Sequence, residues 1–110
     1  MSWIRVTRAG NIPLREGRAV MLNDEEVAIF NLGDRFLAVS NRCPHRGGPL
    51  ADGIVSGDGV VCPLHAWKVC LSTGEVQRPS EPAACTRAYP VEMVDGVILV
   101  EVAGERREAA

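Results

Sequence analysis

The sequence predicts an all-β protein, and three observations carry that prediction. Short valine-rich runs recur along the chain, and branched Cβ atoms fit a pleated sheet. Asp95-Gly96 separates two of these runs, Val91 to Val94 and Val97 to Val102. Asp-Gly in that setting marks a tight hairpin, because both central turn positions need φ > 0. The middle of the chain is dense in breakers, with Gly47, Gly48, Gly53, Gly57, Gly59 and Gly74 among Pro44, Pro49, Pro63 and Pro79, which forbids long helices there.

In chain order, Trp3 to Thr7 alternates apolar with polar side chains and reads as a strand. Arg18 to Leu22 and Glu26 to Asn31 are two more, joined by the turn-like Asn23-Asp24-Glu25. Arg35 to Ser40 follows the turn signal Gly33-Asp34. Short strands are expected at Ile54 to Ser56, Val60 to Cys62 and Lys68 to Leu71, within a loop-rich segment over about 41–79 carried by the outer strands. The expected organisation is one domain over 1–103, with 104–110 a frayed tail.

Length and composition exclude several functions. A chain of 110 residues fits one domain and can bury a core unaided. Apolar residues make up 46% and charged residues 24%, the profile of a soluble globular protein. Twelve basic against 14 acidic residues give a net charge of −2, not the basic excess of a nucleic-acid binder. Aromatic residues are 5%, too few for a set of base-stacking platforms. No run approaches a membrane span, and the first residues contain no signal-peptide core, so a cytoplasmic protein is expected.

The chemistry is concentrated in cysteine and histidine. The four cysteines are Cys43, Cys62, Cys70 and Cys85, and the two histidines, His45 and His65, each lie within three positions of a cysteine. With no export signal, metal binding is favoured over disulfides. The two loops read C-P-H-R-G-G-P-L from Cys43 and C-P-L-H-A-W from Cys62: C-x-H, then 16 residues, then C-x-x-H. Two metal centres compete for this set. One is a tetrahedral Cys₂His₂ zinc site, which would make the chain a zinc-stabilised interaction module. The other is a [2Fe–2S] cluster with two cysteines on one iron and two histidines on the other. Zinc fingers usually pair like ligands close together, whereas each loop here supplies one of each, so ligand order favours the cluster.

These two loops resemble those of Rieske iron–sulfur proteins in their ligands, their spacing and their flanking glycines and prolines. The resemblance implies that Cys43 and Cys62 bind the inner iron and that His45 and His65 bind the outer one. It also implies a fold of small antiparallel sheets with an inserted cluster-binding subdomain. A narrower resemblance covers roughly Trp3 to Val102. The phrase C-P-H-R-G-G-P-L-A-D-G-I-V, the second loop, L-S-T-G-E downstream and the opening Trp3-Ile4-Arg5-Val6 are similar to the small subunit of assimilatory NAD(P)H-dependent nitrite reductase. That group commonly has Asn where Ala66 stands and Asp where Cys70 stands.

The resemblance implies one-electron transfer beside a larger sirohaem and flavin reductase subunit that reduces nitrite to ammonium, with no catalysis by this chain alone. A stand-alone Rieske ferredoxin feeding a ring-hydroxylating dioxygenase is the alternative. The high-potential branch of the family carries hydroxyls two and four positions after the second histidine and a disulfide between the loops. Here Trp67, Val69, Gly48 and Leu64 occupy those positions, so a low-potential centre is expected. Cys70 and Cys85 are expected to be buried small hydrophobes. Trp67 reads as a core aromatic, a cluster shield or a partner contact, Leu50 and Pro49 as a cap on the site, and Arg46 as a surface cation.

Overall fold

The computed structural model describes residues 2–42, 49–63, 66–78 and 85–102. Eleven strands occur among them: β1 (Ser2–Arg8), β2 (Gly17–Leu22), β3 (Glu25–Asn31), β4 (Phe36–Ser40), β5 (Ile54–Ser56), β6 (Gly59–Val61), β7 (Lys68–Cys70), β8 (Val76–Arg78), β9 (Ala88–Tyr89), β10 (Val91–Val94) and β11 (Val97–Val102). Ala9–Asn11 and Leu50–Asp52 form single 3₁₀ turns. No described helix is long and apolar enough to cross a membrane.

Local chemistry sets the hairpins. Asn23 and Asp24 have φ of 51° and 70°, and Asp95 and Gly96 have 53° and 77°. Two central residues with positive φ define the turn whose twist matches the flanking strands. The first turn is therefore two residues long, and Glu25, read from sequence as turn, opens β3 opposite Leu22.

The strands form three antiparallel sheets in the orders β1-β11-β10, β2-β3-β4-β9 and β5-β6-β7-β8. The second lies between the other two, and β3 shows why. Its residues Val27 to Phe30 are all fully buried. Val27 and Ile29 pack with Ala38, Tyr89, Ile98, Val100 and Val102, which joins the first sheet to the second. Ala28 and Phe30 pack with Val39, Val60, Val69 and Leu71, which joins the second sheet to the third. Successive strand side chains point to opposite faces, so a strand buried on both sides is a continuous apolar run.

The third sheet is an excursion from the second. Strands β4 and β9 pair directly, Ala38 opposite Tyr89 and Val39 opposite Ala88, yet β5 to β8 lie between them in sequence. The Tyr89 hydroxyl donates to Glu25 Oε1, which ties β9 to the start of β3. At the far side, Arg35 Nη2 meets Asp58 Oδ1 at 2.8 Å and Arg15 Nη2 donates to the Gly57 carbonyl at 3.3 Å. These pin the β5–β6 turn to the loops of the second sheet, though exposed ion pairs of this kind contribute at most about 1 kcal/mol.

Candidate metal centre

Cys62 follows the last residue of β6 and is 1% exposed. Its N–H donates to the Trp67 carbonyl at 2.7 Å, closing the mouth of the second cysteine–histidine loop. Below that mouth Val61 stands opposite Lys68. Within the loop Ala66 has φ of 58°, the left-handed region, which turns the chain back toward β7.

The first loop is closed in the same manner. Arg42 and Pro49 form an isolated antiparallel bridge. The Leu50 N–H donates to the Asn41 carbonyl at 3.3 Å, and the Ala51 N–H donates to the Asn41 side-chain Oδ1 at 2.7 Å. The 3₁₀ turn of Leu50–Asp52 then leads into β5, with Gly53 N–H donating to the Leu50 carbonyl at 2.9 Å.

The two loop stems are neighbours. Ile54 pairs with Val61, so the exit of loop one lies beside the entry of loop two. Leu50 and Cys62 are buried in one apolar cluster with Val60, Val69 and Leu71, and Trp67 packs against it. Cys43, His45 and His65 lie outside the described residues, as do Arg46, Gly48 and Leu64. Among the described residues no group of three or more His, Cys, Asp or Glu side chains is arranged to hold a metal ion. The surroundings of Cys62 nevertheless suit a soft metal ligand. Its side chain shares an apolar cluster with Leu50, Val60 and Trp67, a water-poor, low-dielectric place of the kind that tunes an iron–sulfur centre.

Other residues differ from expectation. Cys85 is exposed and Cys70 is half-buried, so neither is a buried hydrophobe. Cys85 lies at the bridge with Glu75, outside both apolar clusters. The Cys70 thiol lies 3.2 Å from the Ser72 hydroxyl. Burial pushes its pKa up, but hydrogen bonds with Ser72 and Thr73 outweigh that and hold it below the ordinary thiol range. Trp67 packs against the apolar cluster that contains Cys62, as expected of a core aromatic. Leu50 is buried and Pro49 is exposed, so any cap on the site falls to Leu50 among the two. Sequence reasoning passed over Asn41, a polar residue at the mouth of loop one that is 4% exposed. Its only signal was an asparagine placed two positions before a ligand-type cysteine.

The chain is similar to several known proteins. The family model for the Rieske [2Fe-2S] domain matches residues 2–90. The biphenyl dioxygenase ferredoxin subunit of Pseudomonas sp. (strain KKS102) is 31% identical over 102 residues, spanning 92% of this chain and 93% of that protein. The 3-phenylpropionate/cinnamic acid dioxygenase ferredoxin subunit of Escherichia coli (strain K12) is 36% identical over 90 residues, spanning 79% and 83%. Among solved structures, the ferredoxin of carbazole 1,9a-dioxygenase from Nocardioides aromaticivorans IC177 superposes with a TM-score of 0.82 at 27% identity, over 91% and 97% of the two chains. A protein described as an NADH-dependent nitrite reductase small subunit from Mycobacterium tuberculosis gives a TM-score of 0.83 at 26% identity, over 93% and 96%.

Proposed function

Since this chain belongs to the Rieske [2Fe–2S] domain family and so carries a [2Fe–2S] cluster in place of a lone zinc ion, we propose that it serves as the small, electron-transferring subunit of an NAD(P)H-dependent nitrite reductase. Its general role is electron transfer with a redox partner, the role of the ferredoxins it resembles. In this reading the partner is a larger sirohaem and flavin subunit that takes hydride from NAD(P)H and reduces nitrite to ammonium in the cytoplasm. Cys70 and Cys85, which carry no disulfide, accord with that compartment.

Cys43 and Cys62 would hold one iron, and His45 and His65 the other. When bound, such a cluster takes up and releases one electron at a time. The protein supplies the setting. Leu50, Val60, Val69 and Leu71 keep the Cys62 side dry. The Cys62–Trp67 and Asn41–Leu50 hydrogen bonds hold both loop mouths closed. A site fixed in advance has little to rearrange when its charge changes.

The observation that carries the electron-transfer reading is the juxtaposition of the two loop stems through Ile54 and Val61. The nitrite reductase assignment is supported by the phrase from Cys43 to Val55 and by the fold shared with the Mycobacterium protein. The relatives named as dioxygenase ferredoxin subunits favour a second reading, a ferredoxin feeding an oxygenase. EPR of the dithionite-reduced protein tests the ligand set, since mixed nitrogen and sulfur ligation lowers the average g value below that of all-sulfur ligation. Affinity purification from its native cells tests the partner. Recovery of a sirohaem reductase supports the nitrite reading, and recovery of an oxygenase in its place overturns it.

A further inference from the structure

We propose that Asn41 is a positioning residue of the cluster site, fixing where the first ligand loop begins and ends. It is the one buried polar residue among those described, at 4% exposure. Each of three polar groups has a separate task. Its N–H donates to the Glu26 carbonyl at 2.9 Å, which ties the loop entry to β3 of the central sheet. Its carbonyl accepts the Leu50 N–H at 3.3 Å. Its Oδ1 accepts the Ala51 N–H at 2.7 Å, across ten residues of sequence.

Leu50 and Ala51 open a 3₁₀ turn, and the first N–H groups of a helical turn have no partner within it. The residue preceding the turn, Pro49, makes no side-chain cap. Asn41 supplies the cap from the opposite side of the loop. Leu50 and Ala51 are therefore fixed to the scaffold through a single residue that lies two positions before Cys43. Removing Oδ1 leaves a part-buried N–H unsatisfied and frees the loop exit, while the backbone bonds remain. The inference rests on the reading of Cys43 and His45 as ligands, two and four positions further on.

The test uses the cluster-loaded protein and three variants. Asn41→Leu removes the acceptor at similar volume, and Asn41→Asp keeps an oxygen at the same place. Asn41→Ser, whose oxygen is one bond shorter, is read if the leucine variant fails to fold. Three quantities are measured: the rate at which visible absorbance bleaches under an iron chelator, the g values of the reduced cluster, and the urea midpoint. Asn41→Leu is expected to bleach about tenfold faster, the effect of one unsatisfied buried group, and to shift or broaden the EPR signal. Asn41→Asp is expected to restore the bleaching rate to within about threefold of the parent, since its carboxylate oxygen can accept the same bond. Parental bleaching and EPR in Asn41→Leu or Asn41→Ser overturn the proposal. So does faster bleaching that only tracks a lower urea midpoint with unchanged g values, or an aspartate variant no better than leucine. A parent protein without a mixed-ligand EPR signal removes the ligand reading itself, whereas a normal parent signal with unaffected variants removes only the role of Asn41.

Discussion

Gly53 lies so close to Val61 that a β-carbon at position 53 would run into the Val61 carbonyl oxygen. Gly53 has φ of −80° and ψ of −179°, which any residue adopts, so the requirement for glycine is spatial and not conformational. The contact joins the last residue before β5 to the last residue of β6, one position before Cys62.

Gly53→Ala is therefore expected to push β5 away from β6. Overpacking against rigid backbone costs about 1–3 kcal/mol. The loss should appear as a lower urea midpoint, and bleaching of the cluster should precede global unfolding. A variant with parental stability and parental bleaching would show that the strands part at no cost.

Ala66 makes the opposite prediction. Its φ of 58° places a β-carbon in the left-handed region, at a cost of about 1–2 kcal/mol. Asparagine tolerates that region better. Ala66→Asn should raise stability by about 0.5–1 kcal/mol, once part of the left-handed cost is removed. Chemical denaturation of the loaded protein checks this, and an unchanged or lower midpoint would contradict it.

The reduction potential should lie low in the Rieske range. Val69 is fully buried among Val60, Leu71 and Phe30, and Trp67 packs on the same cluster, so neither position offers a hydroxyl to a sulfur atom. Without hydroxyl bonds from these two positions to stabilise added charge, the midpoint is expected nearer roughly −150 mV than +300 mV. A redox titration giving a value above roughly +100 mV would refute it.

Cys70 should titrate early. Its hydrogen bonds with Ser72 and Thr73 hold the thiol pKa below the ordinary range despite partial burial. In a Cys85→Ser background, iodoacetamide should label Cys70 with an apparent pKa below that of a free thiol, and Ser72→Ala should move it up. Because the folded-state pKa is the depressed one, thiolate formation favours the folded state. Its contribution is complete above the unfolded thiol pKa and is lost as pH falls through the folded value. Labelling that begins only above the free-thiol pKa would refute the assignment.

The outer strands were legible because their chemistry is local. Valine runs and the Asp95-Gly96 turn locate β10 and β11 to the residue, and the apolar run Val27 to Phe30 locates β3. Strands β8 and β9 were not legible. Val76-Gln77-Arg78 has no apolar alternation, and Ala88-Tyr89 is a strand only because distant Ala38 and Val39 pair with it. The two loops and their place between strands could be read from cysteine, histidine, glycine and proline spacing. Asn41 could not, because its importance comes from bonds to Glu26, Leu50 and Ala51 that exist only after folding. The exposure of Cys85 escaped for the same reason.

The direct pairing of β4 with β9 has an evolutionary consequence. The chain leaves and re-enters the central sheet at one seam, so the pairing of β4 with β9 does not itself fix the length of the segment between them. Yet excising residues 41–87 would strip the cover from Ala28, Phe30 and Val39 and expose a sticky apolar face. Any replacement must therefore arrive as a ready-made roof, an apolar face of its own to lay over Ala28, Phe30 and Val39.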